Sequence, residues 1–528
     1  MYRFVRAATV LTVSTIACTS AAGAQYRLDS LLTRAEYTDY IETSRYDDVM
    51  RFVRAVADAS PRIHHTTFGY SFEGRALPLV VVGDVASAAA SDVRATGKTR
   101  VFIQANIHAG EVCGKEAMLM MLRDVARGAH GAWLDSLVLL IAPIYNADGN
   151  ERVRLTNRRG QHGPTGGMGQ RPNAQDYDLN RDHMKLDSPE AWALVALMNA
   201  YDPHVTLDLH TTNGTRHAYH ITYSPPLHPN TDPRIDRFLR TEWLPAAREH
   251  LHATEGWEAF YYGNATGNPR DGVQQWRTFD HRPRFNNNYV GLRNRFAILS
   301  EAYAYATFEE RVTATLRFVE GAVDFAAAHA GRIRHITEEV DRTPLGGQSL
   351  AVTAAPTSTG FLEILMGEVA VERNPYSGAP MLRRRDVVNR VSMEDYGTFA
   401  AGETARVPAR YYVPAELTGV LDKLRDHGIT TTRLTDDRQE QVEEFAITSS
   451  TAAEREFQQH HERTLEGAYR SIAMTIPRGW YVVSTDQPLA RLIFTLLEPR
   501  SDDGLTNWNV LDRALEGATI YPVRRSVD

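Results

Sequence analysis

Residues 101–111 read VFIQANIHAGE, and this stretch decides the fold. Val101, Phe102 and Ile103 open an apolar run that Ala105 and Ile107 continue, the pattern of a strand buried on both faces. The run ends in a turn carrying His108 and Glu111, and Gly114 opens an amphipathic helix expected over 115–126. Proteins of the α/β class place their chemistry at such strand ends, because the loops leaving the sheet form a crevice there. An imidazole and a carboxylate three residues apart on one turn can face one point in that crevice. Zinc takes such nitrogen and oxygen ligands, usually three from the protein at a catalytic site. His108 and Glu111 supply two, so a third must come from elsewhere. An HxxE string alone also describes a surface helix start; the surrounding chain gives it weight.

Outward from this stretch, 47–59 has helical periodicity with Val49, Phe52, Val53 and Val56 on one face, and strands are expected over 63–70 and 77–82. Residues 85–98 are small and polar, the composition of a loop. Another apolar run, 137–144, ends in the turn Asn146-Ala147-Asp148-Gly149. Residues 150–182 form a long Gly-rich segment without a GxGxxG or GKS/GKT phosphate-loop pattern; a loop of this length in a compact domain is usually functional or disordered. Ser188 caps a helix to about residue 200, with Pro189 in its first turn. The strand 205–209 delivers Asp208 and His210; on a period of two, Thr206, Asp208 and His210 share a face. His210 is the candidate third ligand. A short buried strand at 295–300 ends at Glu301, and a carboxylate in that place is either ion-paired or catalytic. Strands alternating with helices, in apolar runs, predict an α/β fold: a mixed, mostly parallel sheet flanked by helices on both faces.

Past 340 the texture changes. Thr343-Pro344-Leu345-Gly346-Gly347 reads as a linker, and 345–528 as a C-terminal α+β accessory domain with one clear helix at 416–427 and core strands at 480–483 and 492–497. The catalytic domain is assigned to 25–335. No ligand-like cluster appears in the C-terminal part.

The chain has 528 residues and a formal net charge of −7, enough for two or more domains and without the long basic run of a nucleic-acid binder. Residues 1–24 read as a secretory signal peptide: Arg3 and Arg6 precede a short apolar run, and Ala22-Gly23-Ala24 precedes Gln25. The protein is therefore expected to be secreted or periplasmic, with a lipid anchor at Cys18 as the alternative and no stable membrane span once the signal is removed. The second of the two cysteines, Cys113, lies beside the HxxE turn; packing as a small buried residue is the expectation over a ligand or nucleophile role.

Taken together, NIHAGE, the NADG turn, R-x-N-A followed by DLNR, LDLHT and LSEAY occur in one order over residues 40–330, and in this the chain resembles the zinc carboxypeptidase (metallocarboxypeptidase) family. The family usually shows NPDG where this chain has NADG. The resemblance implies a carboxypeptidase-like α/β/α fold and one zinc ion held by His108, Glu111 and His210. It implies Glu301 as general base, Arg171 as the cation stabilising the oxyanion, and Asn180 with Arg181 as the clamp on a peptide's free C-terminal carboxylate. Arg158 and Arg159 compete with Arg171, and Tyr289, Tyr261 and Tyr262 compete for the Tyr that the family places over its substrate. Two other readings stand beside it: a zinc-dependent deacylase or amidase acting on N-acyl amino acids or cell-wall peptides, and a non-catalytic secreted binding protein on the same scaffold.

Overall fold

A computed structural model describes residues 28–212, 214–267 and 273–527; the segment read as a signal peptide, with Cys18, lies outside them. An eight-stranded mixed sheet runs through the molecule. Its strands are β1 (Ile63–Tyr70), β2 (Ala76–Val82), β3 (Thr99–Ala105), β4 (Leu137–Ala142), β5 (Val205–Thr211), β6 (Ile221–Ser224), β7 (Ala259–Tyr261) and β10 (Phe296–Ala302). The order is β1-β2-β4-β3-β5-β10-β6-β7. The central strands β4, β3, β5 and β10 are mutually parallel, and β2 and β6 join them antiparallel. This is the mixed sheet with helices on both faces that the apolar runs predict.

All positions of β2 after the first, and all of β3, β4 and β5, are buried. Alternate residues feed different layers. Val101, Ile103 and Ala105 join Leu139 and Ile141 on one face, packed against helices Tyr46–Ala59, Cys113–Ala126 and Phe308–Ala328. Phe102 and Leu140 join Leu79 and Val81 on the other, against helix Pro189–Tyr201. Ser188 caps that helix as expected, accepting from Ala191 N. Burial of apolar surface at about 25 cal/mol per Å² dominates the stability of such layers.

The second face is also where the C-terminal region sits. Leu424, Val483, Leu492, Leu496 and Trp508 share one continuous apolar cluster with Phe102 and Leu140. Backbone pairing crosses as well: β9 (Gln275–Arg277) pairs with β8 (Asn264–Thr266) on one side and with strand Asn389–Tyr396 on the other. The C-terminal region is β-rich, with a long hairpin formed by Arg438–Ala452 and Arg463–Ile476.

Two local expectations need correction. The run at 492–497 is not a strand; Ala490–Leu497 is a helix buried at every position. An apolar run buried all round carries no periodicity that separates the two. Residues 85–98 are not all loop, since Ala90–Ala95 forms a short helix that buries Val93. Among the described residues, no helix is long and apolar enough to cross a membrane.

Candidate active site

Three adjacent parallel strands bring the candidate residues together. β3 ends at Ala105, and Asn106, at φ 67°, turns the chain into the loop that carries His108 and Glu111. Asn tolerates that left-handed conformation better than most side chains. β5 carries His210 and β10 carries Glu301, and the two are direct partners in the β5–β10 register. The loop 158–171 closes over the turn from outside. Gly169 permits this approach: a Cβ there would sit 2.6 Å from the Ala109 carbonyl oxygen and 2.5 Å from that of Gly149.

Nδ1 of His108 and Nδ1 of His210 lie 3.3 Å apart. The Glu111 carboxylate reaches both, with Oε1 at 3.0 Å from His108 Nδ1 and Oε2 at 2.8 Å from His210 Nδ1. One ligand atom from each of the three falls within 4.8 Å of the others, a spacing one metal ion can bridge. The far nitrogens are supported too. His108 Nε2 donates to Asp178 Oδ1 at 3.0 Å, and His210 Nε2 lies 2.9 Å from Asp208 Oδ2. A carboxylate hydrogen-bonded behind an imidazole fixes ring orientation and raises ligand basicity, as Asp178 does for His108; Asp208 stands at ion-pair distance from His210 without a hydrogen bond to it. Thr211 N donates to Glu111 Oε2 at 3.0 Å. The donor set of two imidazoles and a carboxylate suits zinc with an open position.

Burial alone would raise the Glu111 carboxyl, but Arg158 and His108 outweigh it and hold it well below the usual carboxylate range. Asp178 behaves alike: burial opposes ionisation, and His108, Arg181 and Arg171 overcome it. His210 is driven the other way, well above an ordinary histidine, because Asp208 and Glu111 outweigh its desolvation. Burial, opposed by His210 and aided by Glu111, pushes the Glu301 carboxyl up to about 8. Its Oε2 is buried without a hydrogen-bond partner among the described residues.

A cleft of about 400 Å³ opens in front of these groups, lined also by Arg171, Asn180, Arg181, Tyr262, Phe279, Phe285 and Leu299. The Arg171 guanidinium donates twice to Asp178 Oδ2, at 3.0 and 2.8 Å, and stays part-exposed to the cleft. Asn180 Oδ1 accepts from Asn286 N at 2.9 Å. The Arg181 guanidinium lies 3.7 Å over the Phe285 ring, and burial pulls its pKa down to about 10. Tyr262, Phe279 and Phe285 follow one another at centroid distances of 5.5 and 5.3 Å. A second cavity of about 300 Å³ shares Arg171 and Thr212 with the cleft and adds Arg158, Arg159 and Tyr305.

All seven site residues expected from sequence therefore line one cleft. Among their rivals, Arg158 is engaged by the Glu111 carboxylate. Tyr289 is fully buried and bonded to His427, away from the cleft, whereas Tyr262 lines it. Cys113 is buried, its Sγ 3.1 Å from Thr211 Oγ1, and is absent from the ligand cluster. Asp178 stands in the DLNR motif itself and Asp208 shares a strand face with His210, yet no spacing in the sequence marks either as a partner of a ligand histidine. The aromatic wall of Phe279 and Phe285 carried no recognisable spacing.

The zinc carboxypeptidase family model matches residues 49–343, more than half of the chain. Carboxypeptidase 2 of Trichophyton rubrum is 22% identical over 502 residues, covering 91% of this chain and 86% of its own. A probable carboxypeptidase 2 of Arthroderma benhamiae is 22% identical over 480 residues, covering 87% and 84%. Among solved structures, carboxypeptidase A of Helicoverpa armigera aligns with a TM-score of 0.42 at 16% identity, over 61% of this chain and 83% of that one. A metallo-carboxypeptidase of Burkholderia cenocepacia gives 0.41 at 15%, over 54% and 70%. On the family match, this chain belongs to the zinc carboxypeptidase family and is a zinc metallocarboxypeptidase.

Proposed function

We propose that the protein is an exported enzyme that removes the C-terminal residue of peptides, with one zinc ion held by His108, Glu111 and His210. The observation that carries this reading is the convergence of those three ligand atoms within 4.8 Å, with Glu301 paired to His210 in the sheet. A zinc ion held by those three residues would supply an acidified water and a Lewis acid for the scissile carbonyl. Glu301 would take the proton from the attacking water and hand it to the leaving amine, a role that its place beside His210 in the sheet and its unpaired Oε2 allow. Arg171, part-exposed and fixed by Asp178, is aimed at the charge developing on the carbonyl oxygen, an interaction that contributes on the order of 3 kcal/mol. Asn180 and Arg181 clamp the substrate's free carboxylate.

Two features of the cleft refine the substrate. The ring series Tyr262, Phe279 and Phe285 beside Arg181 suits an apolar or aromatic C-terminal side chain. The cavity that adjoins the cleft at Arg171 and Thr212 gives room for more of the chain, which favours a peptide over a small N-acyl amino acid. Export rests on the basic, apolar and small-residue pattern of residues 1–24, and the division into a catalytic unit at 25–335 and an accessory unit at 345–528 on the change of texture near 340.

The test is the rate of release of the last residue from matched peptides ending in Phe, Leu, Lys or Glu. Release of Phe and Leu at least tenfold faster than Lys or Glu is expected. Preference for a charged C-terminal residue would overturn the apolar-pocket assignment, and release of acetyl groups from acetyl-amino acids with no action on peptides would overturn the peptidase reading.

A further inference from the structure

The long hairpin of the C-terminal region ends in a turn that touches the candidate active site. Phe457 and His460 exchange backbone hydrogen bonds across this turn, with N–O distances of 2.8 and 3.0 Å. Between them, Gln458 and Gln459 sit at φ 51° and 65°. Two consecutive positive φ values define a tight turn that favours Asn and Gly, so a Gln pair there is strained. The side chains give a reason to keep it. Gln458 Oε1 accepts the backbone N–H of Asp178 at 2.8 Å. Asp178 is nearly buried, and without this acceptor its N–H would be left unpaired, a costly state for a buried donor. Through its carboxylate Asp178 holds His108, Arg171 and Asn180 N.

The next residues of the turn work on the same loop. Gln459 Nε2 donates to the Gln175 carbonyl at 2.9 Å, and His460 Nε2 lies 2.7 Å from Asp187 Oδ2. The hairpin thus grips the loop bearing Asp178, Asn180 and Arg181 at both ends. It lies well outside residues 49–343.

We infer that Gln458 is a positioning residue: the C-terminal hairpin sets the loop that holds His108's carboxylate partner and the substrate clamp. The inference rests on the peptidase reading only for its kinetic arm. The test compares the full chain with Q458G and Q459G. Each substitution relieves one strained φ, which offsets part of the cost of the lost side-chain hydrogen bond, so both variants should stay folded with melting temperatures within about 5 °C of the parent. For Q458G, KM for a peptide should rise about tenfold while kcat changes less than twofold and zinc content stays at one per chain. Hydrogen exchange at the Asp178 amide should quicken in Q458G alone. Q459G, which releases only the Gln175 carbonyl, should raise KM less than threefold and leave exchange at the Asp178 amide slow.

Unchanged exchange and KM in a well-folded Q458G protein would overturn the inference, as would equal KM changes in both variants that track a fall in melting temperature. If the parent protein does not shorten peptides, the peptidase reading fails on its own, and the exchange measurement still decides the contact. A Q458E variant, which keeps an acceptor oxygen in place, should restore slow exchange.

Discussion

β3 is buried at all seven positions, whereas strand Arg463–Ile476 of the C-terminal region leaves exposed residues along most of its length. Strand Phe361–Met366 resembles the second, with one fully buried position. The first kind of strand packs helices or other apolar layers on two faces; the second packs on one at most. The difference separates two tasks. Strands buried on both faces hold the groups at their ends in fixed relation: His108 follows β3, His210 stands on β5, and Glu301 stands on β10, which is buried at every position but its own. The one-sided strands of the C-terminal region supply no ligand. Their turns reach across and tie down loops, as at Gln458–Asp178 and at Arg284.

Arg284 shows how firm that tie is. Its backbone N and its Nε bond the two oxygens of Asp503, at 2.6 and 2.8 Å, and its Nη2 reaches Glu462 at 2.7 Å. Both Arg284 and Asp503 are buried. The neighbouring Phe285 is the ring under Arg181. Removing one partner of such a pair leaves an uncompensated charge in the interior.

Four substitutions test this division. The largest effect is expected for Glu301→Gln, which should lower kcat by about 10³ to 10⁴ while zinc content, read by metal analysis, stays at one per chain. Normal turnover in that variant would remove the base from the account. Asp503→Ala should cost about 3 kcal/mol or more in urea unfolding, because Arg284 is stranded; a loss below 1 kcal/mol would show that the C-terminal region does not lock the cleft wall. Asp178→Ala should weaken zinc 10- to 100-fold in competition with a chelator, since it removes the partner of His108 Nε2.

The smallest effect concerns Asp187, which meets Lys185 at 2.9 Å and His460 at 2.7 Å. Burial pushes its carboxyl up, but those partners prevail and bring it down to about 2. A folded pKa below the unfolded value of about 3.9 means stability that is present above pH ~4 and lost as pH falls through about 2. Asp187→Asn should therefore cost about 2 kcal/mol at pH 7, and the gap to the parent protein should close between pH ~4 and ~2. A gap that widens toward acid would contradict the assigned sign.

The same contrast explains what was legible in the sequence. Strands buried on both faces write themselves as apolar runs: β4 and β5 begin at the expected residues, as does β1, while β3 begins two residues before its apolar run, and the HxxE turn, His210 and Glu301 stand at or near strand ends. One-sided strands leave no such run, and a helix buried all round, Ala490–Leu497, reads like a strand. Contacts between distant loops leave no local trace at all. Nothing in DLNR announces that Asp178 supports His108, and nothing near Gln458 announces Asp178, 280 positions away. Tyr289 shows the converse, a motif-like Tyr that packing consigns to the interior beside His427.

The measurement that bears most directly on the central claim is mass spectrometry of a mixed peptide pool incubated with the mature protein, with and without a zinc chelator. Products shortened by one residue from the C-terminus, formed only without chelator and restored by added zinc, are the predicted result. An untouched pool from protein that contains one zinc per chain, or shortening that survives chelation, would contradict it.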